Sequence, residues 1–342
     1  MKLTQAKYYL TPVAVCLLGV LGMTYYYFMT GFSNQSETQY LYVDADDTAD
    51  SVFMKLSPMA SAHAMTGLRT LVRHCDYEQR IHTGRFAIES GRSTLDVFRQ
   101  LRRGQQTPMM LTVPEVRTLD QMAAQLGRKL MADSTTIADA LADSSLCAQL
   151  GFDGATLPCL FIPNTYEVYW NISPEKLLKR MKKEHDAFWN KERIQKAEKA
   201  GLTPCEVQTL ASIVDEETAV GAEKARVAGL YLNRLRKGML LQADPTVKYA
   251  VGDPTLRRIL NKHLAVDSPY NTYRHAGLPP GPIRVASVQG INAVLNAEQH
   301  DYLYMCAKED FSGTHNFART SAEHMQNARR YQQALNALNI KK

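Results

Sequence analysis

Several things are scarce in this sequence. Tryptophan occurs twice and cysteine six times in 342 residues. Cys16, Cys75, Cys147, Cys159, Cys205 and Cys306 include no CxxC pair and no metal-ligand spacing, so a zinc site has no support. Cys16 lies in an apolar N-terminal run and leaves an odd number beyond it, which argues against a full disulfide framework. The cysteines read mostly as small buried hydrophobes. A dense charge of one sign is also missing. The net charge of +6, with 22% charged residues, suits a polyanionic partner or an anionic membrane surface but falls short of a nucleic-acid binder. There is no internal repeat and no low-complexity segment. A hydrophobic content of 45% reads as globular, and the length allows roughly two domains.

What is present begins at the N-terminus. No charged residue stands between Lys7 and Glu37, and the run "YYLTPVAVCLLGVLGMTYYYFMTGF" holds about 20 predominantly apolar residues, enough to cross a bilayer as a helix. Lys2 and Lys7 precede it, and Tyr25, Tyr26, Tyr27 and Phe28 close it like an interfacial aromatic belt. No convincing small-residue cleavage site follows, and Val15 before Cys16 does not suit a lipoprotein. The expectation is an uncleaved single-pass anchor over residues 8–30, with residues 1–7 cytoplasmic and the rest outside the plasma membrane. The function then belongs outside the cytoplasm.

The remainder divides by pattern into an α+β chain. Residues 31–83 form a linker, a first strand near Tyr40–Val43, and helical residues from about 50 to 74. Residues 84–116 read as strand, helix and strand: "GRFAIES" alternates, Ser93 and Gly104 bracket a helix, and Pro114 breaks "PMMLTVPE". Such a unit is either a small sugar-binding module or a spacer. Residues 117–200 form a helical connecting region, with two helices over 118–150 separated at Ser134–Thr135, then one long helix over Pro174–Lys199. Leu177, Leu178, Met181, His185 and Phe188 make that helix's apolar face, and its lysines read as a solvated face rather than a strip for an anionic polymer.

The segment "GLTPCEVQTLASIVDEETAV" then starts a well-marked helix. Thr203 is its N-cap, Pro204 its first residue, and Glu206 completes a capping box. At about 100° per residue, Glu217 falls within about 60° of Val214, Ile213 and Leu210, the apolar stripe. Glu216 lies about 100° away and Asp215 about 160°, which places both on the wet side. A carboxyl on the inward face is desolvated and has a raised pKa, as a general acid needs. Equally, it could be a buried glutamate salt-bridged to Arg234.

Downstream, "NRLRKGMLLQADPTVKYA", "SPYNTYRHAGLPPGPI", "DYLYMCA" and "GTHNFARTSAEH" are dense in Asn, Gln, Asp, Tyr and Thr. Aromatic faces beside amide and hydroxyl groups suit sugar rings. His315 and His324 have no third metal ligand nearby and read as loop-ordering residues.

Taken in order, these segments resemble the YceG-like family of membrane-anchored endolytic murein transglycosylases. The similarity is strong from about Leu210 to His324 and weaker upstream, through "FIPNTYEVYW" and the strand–helix–strand unit, which resembles a LysM domain. The resemblance implies a single transmembrane helix, a small LysM-like βαβ-type subdomain over 84–116, the helical linker, and a mixed α+β catalytic domain over 201–342. It implies Glu217 as the catalytic acid and Asn233, Gln242, Asp244, Thr246, Tyr270, Asn271 and Thr272 as substrate-binding residues, without cofactor or metal. Asp215 stands where the family has a first glutamate, and "PEVRT" where it has "PEG". The implied reaction cuts the β-1,4 bond between N-acetylmuramic acid and N-acetylglucosamine within peptidoglycan glycan strands, leaving 1,6-anhydro ends. Peptidoglycan synthases are candidate partners. A hydrolytic muramidase and a non-catalytic wall-binding scaffold are the alternatives.

Overall fold

The computed structural model describes residues 2–253, 256 and 258–337, with side chains from residue 10 onward. Met1 of the expected cytoplasmic stretch, and residues 254, 255, 257 and 338–342 of the expected catalytic region, lie outside them. The fold is mixed α+β, mostly helical with three two-stranded sheets among the described residues. The chain divides into two units, Met1–Leu111 with Glu167–Ile172, and Thr112–Tyr166 with Ser173–Lys342.

The first unit opens with α1 (Lys2–Thr24), which passes into a π-helical turn at Tyr25–Met29. Leu10–Met29 has a mean hydropathy of 1.5 and is unburied, long and apolar enough to cross a membrane as an anchor or a signal sequence. β1 (Gln39–Val43), α2 (Ala49–Leu56), α3 (Ala62–His74), β2 (Gly84–Ile88), α4 (Thr94–Arg102) and β3 (Met109–Thr112) follow. Thr48, Ser61 and Ser93 cap the three helices through their hydroxyls, and Gly104 ends α4 with φ +61°.

β1 and β2 pair antiparallel from Gln39↔Ile88 to Val43↔Gly84, with α2 and α3 between them in sequence. The two strands of the 84–116 pattern therefore lie in different sheets. Residues after α4 do run beside β2, where Thr107 donates its N–H to the Arg85 carbonyl (2.7 Å) and accepts from the Ala87 N–H through Oγ1 (3.0 Å). Pro108 follows and has no N–H to extend that ladder. β3 pairs instead with β4 (Thr165–Val168), and the division between the units falls within both strands. Leu41, Val43, Leu56, Leu68, Phe86, Ile88 and Val97 form the first unit's core.

In the second unit, α5 (Leu119–Gly127), α6 (Ser134–Ala142) and α7 (Ser144–Gln149) occupy the stretch read as two helices, and Asp133 rather than Ser134 caps α6. The expected single helix over Pro174–Lys199 is two, α8 (Pro174–Phe188) and α9 (Lys191–Ala200). The break has a local cause. Asn190 is a strong N-cap, its side chain accepts from the Arg193 N–H, and Trp189 leaves the helical region to be buried.

α10 (Pro204–Glu217) begins with the expected capping box between Thr203 and Glu206. Behind it come α11 (Gly221–Arg236), α12 (Asp244–Val251), α13 (Asn261–Leu264), α14 (Val288–Leu295), the hairpin β5 (Tyr304–Ala307) and β6 (His315–Ala318), and α15 (Ser321–Ala337). Leu210, Ile213 and Val214 of α10 meet Val227, Leu230 and Tyr231 of α11 and Ile291 and Val294 of α14 in this unit's core. Burying each such aliphatic side chain contributes about 1.5–3 kcal/mol.

The cysteines need one correction. Cys159 and Cys205 form a disulfide across 46 residues, tying the turn at Leu157–Leu160 to the first turn of α10. A loop of that length corresponds to about 2–4 kcal/mol of stabilisation. Of the others, Cys147 is buried, Cys75 and Cys306 are half-buried, and Cys16 is exposed on α1.

Candidate active site

Glu217 is the last residue of α10 and lines a cavity of about 280 Å³. Helix α11 supplies Leu230, Tyr231 and Arg234 to the lining. The following loop and the start of α12 supply Leu241, Gln242 and Asp244, and Tyr273 comes from the loop after α13. Met305, Cys306, Ala307 and His315, from the β5–β6 hairpin, complete it.

The electrostatics of Glu217 follow from this enclosure. Burial pushes its carboxyl up to about 7, and the nearby Asp244 charge adds to the rise. The Tyr231 hydroxyl, donating to Oε1 at 2.7 Å, opposes it, as do the more distant Lys248 and Arg234. Its place at a helix C-terminus, where the peptide dipoles disfavour negative charge, acts in the same direction as burial. Tyr231 and Tyr273 are themselves raised, first by burial and then by the carboxylates they face.

Arg234 is not the salt-bridge partner that the sequence allowed. It is buried, and it spends its guanidinium on the carbonyls of Leu303 (2.6 Å), Leu240 (3.1 Å) and Leu241 (2.7 Å), with Gln242 Oε1 at 3.4 Å. It thereby holds the loop in which Gln242 takes a left-handed φ of +52°, a strained conformation for a residue with a side chain.

The other two acids of the triplet correct the expectation of a wet face. Asp215 has a side chain only 3% exposed, paired with Lys224 at 2.6 Å and accepting from the Ser287 N–H (2.7 Å) and hydroxyl (2.8 Å). α14 passes it at Gly290, where any Cβ would strike the carboxylate. Glu216 accepts from Arg117 (2.6 Å) and Arg284 (3.0 Å). α10 is covered on more than one side, so Gln208, Thr209 and Ser212 are buried with its aliphatic residues.

The residues expected to bind substrate separate into two groups. Gln242 and Asp244 line the cavity with Glu217; Asp244 begins α12, where negative charge is favoured, and accepts from the Tyr273 hydroxyl at 2.6 Å. The rest are not among the residues that line it. Thr246 and Thr272 are buried, share a hydrogen bond (2.8 Å), and tie down the backbone of Ala243 from both sides. Asn271 is buried and donates to the carbonyls of Leu264 (2.9 Å) and Val266 (2.8 Å). Asn233 donates to the carbonyls of His300 (2.6 Å) and Tyr302 (3.2 Å), fixing the approach to β5. Tyr270 packs on Tyr249 with ring centroids 4.7 Å apart, and burial pushes its phenol up to about 12.

Sequence reasoning passed over Tyr231 and Tyr273 and read His315 as a loop residue. His315 does order the hairpin, but it also faces the cavity, with Nδ1 3.0 Å from Glu223 Oε2. His324 lies in α15, stacked near Tyr304 (5.5 Å).

Residues 41–330 match the YceG-like family. Over 123 residues, 36% of this chain and 33% of the relative, the sequence is 43% identical to the endolytic murein transglycosylase of Bacillus subtilis (strain 168). It is 28% identical over 257 residues, 66% of this chain and 46% of the relative, to the endolytic murein transglycosylase of Streptococcus pneumoniae (strain D39). The chain thus spans a third to under half the length of these curated relatives. A crystal structure of a YceG-like protein from Listeria monocytogenes superposes with a TM-score of 0.56 at 25% identity, covering 85% of this chain and 99% of that one.

Proposed function

Because the chain belongs to the YceG-like family, we propose that it is an endolytic peptidoglycan lytic transglycosylase, anchored in the plasma membrane by the helix at Leu10–Met29. It cuts the β-1,4 bond between N-acetylmuramic acid and N-acetylglucosamine inside glycan strands. The observation that carries this reading is Glu217: a carboxyl at the wall of a polar cavity, raised by burial to about 7 and therefore still protonated in a substantial fraction near neutrality.

In this reading Glu217 gives its proton to the glycosidic oxygen as the C1–O bond breaks. The muramoyl C6 hydroxyl attacks C1 and closes the 1,6-anhydro ring. Its proton must be accepted by a group within the cavity. Hydrolases ordinarily need a second carboxylate to handle water or the sugar; here the substrate carries its own nucleophile. Gln242, Asp244 and Tyr273 offer hydrogen bonds to the sugars, while Asn233, Thr246, Asn271 and Thr272 keep their loops in place. The disulfide fits a domain that works in an oxidising compartment outside the cytoplasm. The anchor keeps the cavity near strands still being made, beside the synthases that make them.

Asp244 also supports a second reading, a hydrolytic muramidase, since it is another carboxylate on the same cavity. The two readings differ in the chain ends they leave. Either one requires Glu217. In the full-length protein, Glu217→Gln should lower turnover of purified glycan strands by about 10²–10⁴-fold with the fold intact. Turnover at the wild-type rate would remove Glu217 from the chemistry, whereas no turnover by wild type would favour a wall-binding scaffold.

A further inference from the structure

His315 and Glu223 form a second polar pair at the cavity, separate in sequence from the acid. Glu223 stands in the first turn of α11 and is 7% exposed. Its Oε1 accepts from the backbone N–H of His315 (2.9 Å), and its Oε2 meets His315 Nδ1 (3.0 Å) and the Thr218 hydroxyl (3.4 Å). The carboxylate is thus held by three donors. Thr218, the residue directly after Glu217, ties the pair to the end of α10.

An ionised carboxylate only accepts, so the ring hydrogen facing Glu223 sits on Nδ1. A neutral imidazole held that way has its lone pair on Nε2. Among the described residues no hydrogen bond is made to that nitrogen, and His315 lines the same cavity as Glu217. An imidazole aligned by a carboxylate, on a residue that lines a substrate space, is equipped to receive a proton from a hydroxyl on its far nitrogen.

We propose that His315, aligned by Glu223, is the base that removes the proton from the muramoyl C6 hydroxyl while Glu217 protonates the glycosidic oxygen. The inference rests on the transglycosylase reading. The Glu217 proton leaves with O4 of the departing N-acetylglucosamine as the C1–O4 bond breaks. O6 forms its bond to C1, and the O6 proton passes to His315 Nε2. The imidazolium then returns one proton to the Glu217 carboxylate through cavity water, which restores both groups. His315 is thus a catalytic residue and Glu223 a positioning residue.

The test compares wild type, His315→Ala, His315→Gln and Glu223→Gln, all full-length, on purified glycan strands. It reads kcat and KM separately, weighs the ends by mass spectrometry, and checks each fold by its melting temperature. The expected result is a fall in kcat of about 100-fold or more for both His315 variants, with KM within about threefold. Imidazole added to His315→Ala should recover about tenfold of the loss, since it fills the vacated place and accepts the proton. Glu223→Gln should lower kcat about tenfold by letting the ring turn. His315→Gln keeps a hydrogen-bonding side chain and answers the question should His315→Ala fail to fold. A His315 variant within about threefold of the wild-type kcat, a loss carried by KM, or a folded His315→Ala that imidazole leaves inactive each overturns the proposal. Unimpaired Glu223→Gln overturns the alignment by Glu223. Anhydro ends from wild type with an unimpaired His315→Gln overturn this proposal alone. Reducing ends from wild type overturn the transglycosylase reading and this step with it.

Discussion

On one side of the last turn of α10, Asp215 is buried against α14, with the Lys224 ammonium and two donors from Ser287 around it. On the other side, Glu217 is enclosed by the cavity wall and receives one phenol hydroxyl from Tyr231, with the Asp244 charge nearby. Both are carboxyls, two residues apart on one helix, and both are largely removed from water. What differs is the company. A cation and the Ser287 N–H and hydroxyl hold Asp215 in an ion pair; among the described residues no cation contacts Glu217, which is left to be neutralised by a proton. Burial by itself decides neither outcome.

The largest effect should come from breaking the paired side. Asp215→Ala leaves the Lys224 ammonium buried without a partner and should cost about 3–5 kcal/mol in denaturant unfolding. Glu216→Ala, whose partners Arg117 and Arg284 are 61% and 18% exposed, should cost less, about 1–3 kcal/mol. A loss at Asp215 no greater than at Glu216 would mean that the two sites are equally solvated and that the comparison fails.

The unpaired side should respond with the opposite sign. A carboxyl raised from 4.5 to about 7 in the folded state binds more protons there than when unfolded, so its contribution to stability declines between those values as pH rises. Glu217→Gln should therefore match wild type below about pH 4.5. Above pH 7 it should be the more stable protein, by about 3 kcal/mol. Equal melting temperatures at pH 8 would show that Glu217 is not desolvated.

The smallest effect sharpens the contrast without removing either acid. Tyr231→Phe deletes the hydrogen bond that favours the charged form of Glu217. The alkaline fall in activity should move to higher pH, with kcat at pH 6 changing less than about tenfold. A shift to lower pH would mean that the phenol stabilises the protonated acid instead.

The start of α10 was readable because capping chemistry is local: Thr203, Pro204 and Glu206 suffice to mark it. Glu217 was readable because the helical period relates it to Val214, Ile213 and Leu210 wherever the chain goes next. Asp215 was misplaced because angular position says nothing about how many sides of a helix are covered, and α14, arriving some seventy residues later, covers the second side. The break at Asn190 lay within the lysine-rich pattern that hid it, although asparagine is a good cap. Tyr231 is 14 residues from Glu217, and Glu223 is 92 from His315, so neither pairing has a local signature. The Cys159–Cys205 bridge is hidden by distance in the same way. The motif residues Asn233, Gln242, Asp244, Thr246, Asn271 and Thr272 were legible as a group, but only the packed loops separate Gln242 and Asp244, which line the cavity, from the others.

The mass of the glycan ends released by the full-length protein tests the central claim most directly. The account predicts 1,6-anhydromuramoyl ends, lighter by one water than reducing ends, formed by wild type and lost in Glu217→Gln. Reducing ends, or anhydro ends that persist undiminished in that variant, would contradict it.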